Sequence, residues 1–128
     1  MNDFCPCGSG KEYNECCALY IKGETAPTAQ ILMRSRYTAY YYANEKYLLD
    51  TWHPSTRPEK LNLYENEKQV AWFDLKIKNF EKGGAEDDDG TVEFTARFKQ
   101  NGKAHHLHEV SQFSKVNGRW YYVGGVVS

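Results

Sequence analysis

Thr91-Val92-Glu93-Phe94-Thr95-Ala96-Arg97-Phe98-Lys99-Gln100-Asn101-Gly102 alternates apolar with polar side chains and closes on an Asn-Gly pair. A period of two places Val92, Phe94, Ala96 and Phe98 on one face of a strand over residues 91–99, with Thr91, Glu93, Thr95 and Arg97 on the other. Asn-Gly supplies the backbone angles of a tight hairpin turn. The same grammar continues on both sides. In residues 69–80, Phe73, Leu75 and Ile77 alternate with Asp74, Lys76 and Lys78. Gly83-Gly84 and Asp87-Asp88-Asp89-Gly90 then make a polar turn, which lacks the spaced ligands and terminal Glu of a calcium loop. Residues 104–116 read as a long strand, Asn117-Gly118 repeats the turn, and Arg119 to Val127 is the last strand. Four strands joined by consecutive hairpins make an antiparallel meander.

Upstream the period changes. Thr28 suits an N-cap, and Ala29, Leu32, Ala39, Tyr40 and Ala43 share one face at helical spacing, with Asn44 as a stop. A second short helix is expected from Glu45 to Trp52, ended by His53-Pro54 because the residue before proline avoids helical angles. Residues 54–66, with Pro54, Pro58 and Asn62, read as an irregular loop with room for one helical turn. Tyr37, Tyr40, Tyr41 and Tyr42 surround the first helix and are expected mainly to pack. Helices first and sheet afterwards predict an α+β domain with the helices on one face of a curved, four-stranded meander.

Length and composition limit the alternatives. The chain has 128 residues, 41% hydrophobic and 26% charged, as expected of a globular domain rather than a coiled coil or a disordered chain. Its formal net charge of -1 excludes a whole-molecule basic field for nucleic acid, which leaves at most a local contact. No apolar run reaches the length of about 20 residues that spans a bilayer, and Met1-Asn2-Asp3-Phe4 shows no secretory pattern. A cytoplasmic protein without membrane contact is the expectation.

All four cysteines, Cys5, Cys7, Cys16 and Cys17, fall within the first 17 residues. Residues two apart in an extended segment face the same way, so Cys5 and Cys7 can converge, and Gly8-Ser9-Gly10 allows the chain to turn back and bring Cys16 and Cys17 to them. Four thiolates match the coordination of structural zinc, which leaves no open position for water. Disulfides or unrelated buried thiols are the alternatives; a Cys16–Cys17 bridge would be strained and the cytoplasm is reducing. Seventeen residues cannot build a core of their own, so the metal would supply their folding free energy. The expected division is a zinc knuckle over residues 1–22 and an α+β domain over 23–128, with residues 18–27, across that boundary, read as a linker.

Cys5-Pro6-Cys7-Gly8-Ser9-Gly10-Lys11, followed by Tyr13 and Cys16-Cys17, resembles the SEC-C zinc motif, which also occurs at the C-terminus of the SecA translocase. Met33-Arg34-Ser35-Arg36-Tyr37, Thr51-Trp52-His53-Pro54-Ser55-Thr56-Arg57, Glu109 and Ser111 before Phe113, and Gly118-Arg119-Trp120-Tyr121-Tyr122-Val123 resemble the uncharacterised bacterial YchJ family over nearly the whole chain. The resemblance implies a SEC-C finger joined to a cone-shaped domain similar to nuclear transport factor 2. Some relatives carry a second SEC-C motif at the C-terminus; Val126-Val127-Ser128 shows none. The resemblance implies no activity.

The strand pattern makes a further prediction. Leu107, Glu109, Ser111 and Phe113 share a face, and the two apolar members mark it as the inner one. A buried carboxylate must be paired or protonated. Arg36 lies within the apolar stripe of the first helix, so Arg36 or its neighbour Arg34 is expected to meet Glu109. This is either a structural ion pair or the floor of a pocket, with Tyr37 beside it and His53, Ser55 and Arg57 at its rim. His106 and His108 share the opposite strand face from Leu107, with His105 on the Leu107 side; two imidazoles make a weak metal site, and solvated histidines are expected.

Three functions follow. In the first, the protein is an adaptor or binding module: the finger docks on a protein partner, or less favourably on nucleic acid, and the cone holds a ligand or second partner. In the second it is a small-molecule acid/base enzyme, of isomerase or dehydratase type, using His53 or Glu109 with Arg36, Ser55 or Tyr37. In the third the finger only caps the fold. The sequence leans away from an enzyme, because it carries no Walker loop, Rossmann fingerprint, nucleophile motif or zincin motif.

Overall fold

A computed structural model describes residues 4–61 and 70–127. Residues 62–66 of the expected irregular loop lie outside the described residues. A 3-10 turn, Tyr13–Glu15, leads into three α-helices, α1 (Cys17–Ile21), α2 (Ala29–Tyr41) and α3 (Glu45–Asp50). Four strands follow: β1 (Ala71–Lys82), β2 (Asp89–Gln100), β3 (Lys103–Val116) and β4 (Arg119–Val127). They form one open antiparallel sheet in the order β1-β2-β3-β4, the meander that the hairpin signals predict. Asn101 and Asn117 take positive φ angles, 56° and 51°, as the two Asn-Gly turns require.

The strand alternation becomes a core. Val92, Phe94 and Ala96 of β2 are buried, as are Ser111 and Phe113 of β3 and Trp120 of β4. Against them α2 places Ala29, Leu32, Met33, Tyr37 and Ala39. The Thr28 side chain accepts from the Ile31 amide at 3.1 Å, so the expected N-cap is in place. Gly83, at φ 80°, brings the β1–β2 turn to the start of α2, where its carbonyl accepts from the Ala29 amide at 2.9 Å. A Cβ at Gly83 would lie 2.9 Å from that of Ala29, so the approach requires glycine.

The local expectations fail in four places. Residues 18–27 are not wholly a linker, because residues 17–21 form α1 and bury Cys17 and Ala18. Asn44 does not stop α2. The helix ends at Tyr41, Ala43 turns left-handed at φ 56°, and the Asn44 side chain accepts from the Tyr47 amide at 3.1 Å as the N-cap of α3. That helix ends at Asp50, short of Trp52. Phe73 does not join Leu75 and Ile77 on the inner face. The register shifts between Trp72 and Asp74, so the pleat is out of phase; Trp72 packs on Phe98 at 5.0 Å while Phe73 is exposed.

The segment after α3 serves the sheet. The Tyr122 amide donates to the Thr51 carbonyl and the His53 amide to the Tyr122 carbonyl, both at 2.8 Å, which makes a short parallel bridge to β4. Among the described residues no helix is long and apolar enough to cross a membrane.

Candidate functional site

Two groups of side chains qualify, the cysteine cluster and a cavity under α2. In the first, Cys5 and Cys7 stand on the opening segment, and the Cys5 amide donates to the Lys11 carbonyl at 2.8 Å to close the loop. Gly8 and Gly10 take φ angles of 80° and 85°, which lets the chain reverse between the cysteine pairs. Cys16 precedes α1 and Cys17 begins it. The four sulfurs all lie within 4.8 Å of one another, and Cys5, Cys7 and Cys17 are buried. All four thiols are free; Cys7 Sγ and Cys16 Sγ are 3.7 Å apart, far beyond a disulfide bond. The disulfide alternative is thereby set aside. Among the described residues this is the one group of three or more His, Cys, Asp or Glu side chains gathered closely enough to hold a metal ion.

Each sulfur has a distinct environment. Hydrogen bonds from the Cys17 and Cys5 thiols push Cys7 well below the ordinary thiol range, and its burial only partly opposes them. Cys17 is pushed up by the same contacts to Cys5 and Cys7, and burial adds to this. Burial raises Cys16, while the Ser9 hydroxyl, 3.2 Å from its sulfur, works the other way. Four sulfurs gathered this closely are a donor set suited to a soft or borderline cation.

The knuckle is anchored to the larger domain. Arg34 does not meet Glu109; its Nη1 donates to the Cys7 carbonyl at 2.8 Å and ties α2 to the loop. Cys5 Sγ lies 3.7 Å from the Thr38 hydroxyl, also on α2. Cys5, Cys7 and Cys17 belong to the same core as Leu32, Met33 and Leu75.

The second group lines a cavity of about 200 Å³ between α2 and the inner face of the sheet. Arg36, Tyr37, Glu109 and Ser111 all line it, so four of the expected pocket residues come together. Met33, Trp72, Phe94 and Leu107 supply apolar wall. The expected direct Arg36–Glu109 ion pair does not form. Arg36 Nη1 donates instead to the Leu48 carbonyl at 2.7 Å and to Thr51 Oγ1 at 2.6 Å, because α3 ends beside it with carbonyls to satisfy. Its guanidinium lies over the rings of Tyr122, at 4.6 Å, and Trp52, at 5.1 Å. Glu109 Oε2 accepts from Tyr122 Oη at 3.1 Å and from Ser111 Oγ. Tyr122 therefore stands between the two charges, its ring against one and its hydroxyl on the other.

Burial pushes the Arg36 guanidinium down, an effect opposed by the surrounding tyrosines and Glu109. Burial raises Tyr122, and the Glu109 carboxylate raises it further. Tyr37 is raised by burial first and then by the Asp74 charge, and its hydroxyl forms no well-made hydrogen bond, with only the Asp74 backbone near it.

His53, Ser55 and Arg57 are not at the rim. His53 Nδ1 meets the Ser55 amide and hydroxyl at 3.1 and 2.8 Å, and Arg57 caps the Trp52 carbonyl at 2.8 and 3.0 Å. Thr56 Oγ1 donates to the Val123 carbonyl at 2.7 Å, which fixes this turn to the edge of β4 and away from the cavity. Of the two expected acid/base candidates, Glu109 therefore lines the cavity and His53 does not. His105 stacks on Phe98 at 5.3 Å, and His108 bonds to Glu93 at 2.7 Å on the outer face.

Sequence reasoning missed Tyr40, Trp72, Tyr122 and Gly125. Tyr122 was legible, since it is two residues from the inward Trp120. Gly125 pairs with Ser111, and a Cβ there would lie 2.7 Å from Glu109 Cδ; the Glu109 side chain lies flat across it. A glycine inside a strand signals such a close approach.

Residues 1–19 match the SEC-C motif, and residues 28–125 match the middle, NTF2-like domain of YchJ. A UPF0225 protein of Chromobacterium violaceum is 53% identical over 126 residues, which cover 97% of this chain and 93% of that protein. This chain belongs to the UPF0225, or YchJ, family. Another member, from Corynebacterium glutamicum, is 46% identical over 129 residues, 99% of each protein. The solution structure of a SEC-C motif containing protein from Rhodopseudomonas palustris shares 37% identity and superposes with a TM-score of 0.83 over 98% of both chains. The crystal structure of a SEC-C motif containing protein from Psychrobacter arcticus shares 26% identity at a TM-score of 0.70, covering 97% of this chain and 82% of that one. The family fold is therefore an NTF2-like domain with an open four-stranded sheet, preceded here by the SEC-C knuckle.

Proposed function

We propose that this YchJ-family protein is a zinc-stabilised binding module. In it a four-thiolate knuckle is held to a cone that receives a small ligand. The observation that carries the reading is the clustering of four sulfurs within 4.8 Å, on a segment with no core of its own. A tetrahedron with Zn–S bonds of about 2.3 Å has edges of about 3.8 Å. The Cys7–Cys16 separation of 3.7 Å is of that size. Cys5, Cys7, Cys16 and Cys17 would hold the ion. Four protein ligands leave no position for a reacting water, so the zinc supplies folding free energy and not chemistry.

The cone contributes the binding site, with an apolar wall and a few converging polar groups, as small-molecule sites have. We assign docking on a protein partner to the knuckle's outer face, where Phe4 is 60% exposed. The reading places the module in the cytoplasm, where thiols stay reduced. The isomerase-type alternative is weaker, since His53 turns to Ser55 and leaves the cavity without an imidazole.

The test is elemental analysis of the untagged full chain, with Cys7→Ser as control. About one zinc per chain is expected, lost in the variant, because one missing thiolate opens the site. The same pair of proteins serves a partner pull-down, in which a partner that depends on the knuckle is lost with the zinc. A metal-free wild-type protein whose four thiols titrate as free would overturn the reading.

A further inference from the structure

Arg36 is 3% exposed, yet among the described residues no carboxylate oxygen lies within 4.0 Å of its guanidinium. Both Nη1 hydrogens are used, on the Leu48 carbonyl and Thr51 Oγ1. The N–H groups of Nε and Nη2 have no acceptor among the described residues. A guanidinium has five donors in a planar fork, and the edge left open is the one that matches a carboxylate. Across the cavity, Glu109 spends one oxygen on Tyr122 and Ser111, while its Oε1 has no donor among the described residues. Tyr37, 2% exposed, also lines the cavity, and its hydroxyl makes no well-formed hydrogen bond. Buried Arg36 and Tyr37 and half-buried Glu109 thus have unused hydrogen-bonding capacity around one space.

Charge balance narrows the occupant. Arg36 and Glu109 are the two charged residues lining the cavity, and they cancel. A simple carboxylate bound at Arg36 would leave one uncompensated negative charge in a largely apolar enclosure, and a simple amine at Glu109 one positive charge. Either is costly, because a buried charge must be paired. A zwitterion satisfies both groups and adds no net charge. Its body must be apolar, to lie against Trp72, Phe94, Leu107 and Met33. About 200 Å³ suits one aromatic ring with a short polar head; a cavity of about 150 Å³ already admits benzene.

We propose that the cone of this protein binds a small apolar amino acid or a close analogue, with its carboxylate on Arg36 and its ammonium on Glu109. The inference rests on the reading of the cone as a ligand-binding site and names the class of ligand.

Three matched probes test it on the full-length, metal-loaded protein by calorimetry and amide NMR titration: L-phenylalanine, 3-phenylpropanoate, which lacks the ammonium, and 2-phenylethylamine, which lacks the carboxylate. The expected result is that L-phenylalanine binds at least tenfold tighter than either analogue and shifts amides of α2 and β3. Glu109→Gln should weaken L-phenylalanine roughly 10- to 100-fold, the scale of one charged hydrogen bond, and leave 3-phenylpropanoate unweakened. If the variant misfolds, the ranking of the three probes on the native protein still decides. Equal binding of L-phenylalanine and 3-phenylpropanoate would overturn the zwitterion assignment and leave a ligand-binding cone standing. No binding of any of the three at millimolar concentration would overturn both.

Discussion

At the scale of single residues, the cavity is built by side chains that each do two things. Glu109 lies across Gly125 to reach Tyr122 and Ser111, so the glycine is the floor on which the carboxylate rests. Gly124 beside it has nothing within 4 Å of where a Cβ would be. The two neighbours therefore make a matched test. Gly125→Ala should cost about 1–3 kcal/mol, as overpacking does, and displace Glu109. Gly124→Ala should change stability by less than about 0.5 kcal/mol, as an open surface position does. Urea melts of both variants, with NMR shifts of the Tyr122 ring, measure the difference; equal costs would show that Glu109 does not use Gly125 as its seat. The inward placement of Arg36 and Glu109 was legible because both break an apolar stripe of known period. Their failure to pair was not. It depends on Leu48 and Thr51 ending α3 beside the guanidinium, a three-dimensional fact that periodicity on α2 does not contain.

At the scale of elements, boundaries were less legible than types. The sheet came from the alternation of Val92, Phe94 and Ala96 and from two Asn-Gly turns, all local signals that tertiary contacts reinforced. β1 carried an equally clean alternation, yet its bulge after Trp72 sent Phe73 outward, where Arg97 and Lys99 lie over its ring at 5.5 and 5.9 Å. One inserted residue puts the alternation on its two sides out of phase, and sequence alternation alone does not mark the insertion. Asn44 shows the same limit at a helix end. Asparagine favours both the residue after a helix and the N-cap of the next one, and here Ala43 takes the left-handed position in its place. Asn44→Ala should therefore destabilise α3, lowering stability by about 1 kcal/mol at an unchanged denaturant slope. Asn44→Asp should keep most of it, since aspartate caps equally well. Because α3 delivers the Leu48 carbonyl and Thr51 to Arg36, the alanine variant should also shift the Arg36 side-chain NMR signals. A loss of stability with those signals unmoved would separate the cap from the cavity.

At the scale of the whole molecule, the cysteines link the knuckle to the cone. Their convergence was visible in the sequence spacing, but their place in the core was not. Cys5 and Cys7 stand in the local pattern of an exposed loop, and only folding shows Cys7 fully buried and Arg34 reaching back from α2 to its carbonyl. A finger that hung from the cone by a linker would melt on its own and leave the cone unchanged. The shared core of Cys5, Cys7 and Cys17 with Leu32, Met33 and Leu75 argues for one cooperative unit instead. If the four cysteines hold an ion as proposed, its removal would leave four crowded sulfurs to share protons in a buried space, and the segment has no hydrophobic core of its own to offset that cost. The expected loss is several kcal/mol, and at roughly 3–5 °C for each kcal/mol in a domain of this size the melting transition should fall by about 10 °C or more. Chelation under reducing conditions, followed by calorimetry and circular dichroism, measures it. A single transition displaced downward is expected, with near-ultraviolet signals of Trp72 and Trp120 lost together with those of the knuckle. Two separated transitions, the upper one at the temperature of the metal-loaded protein, would mean that the cone folds without the knuckle. The packing of Cys5 and Cys7 against α2 would then be a contact of docked modules and not part of a common core.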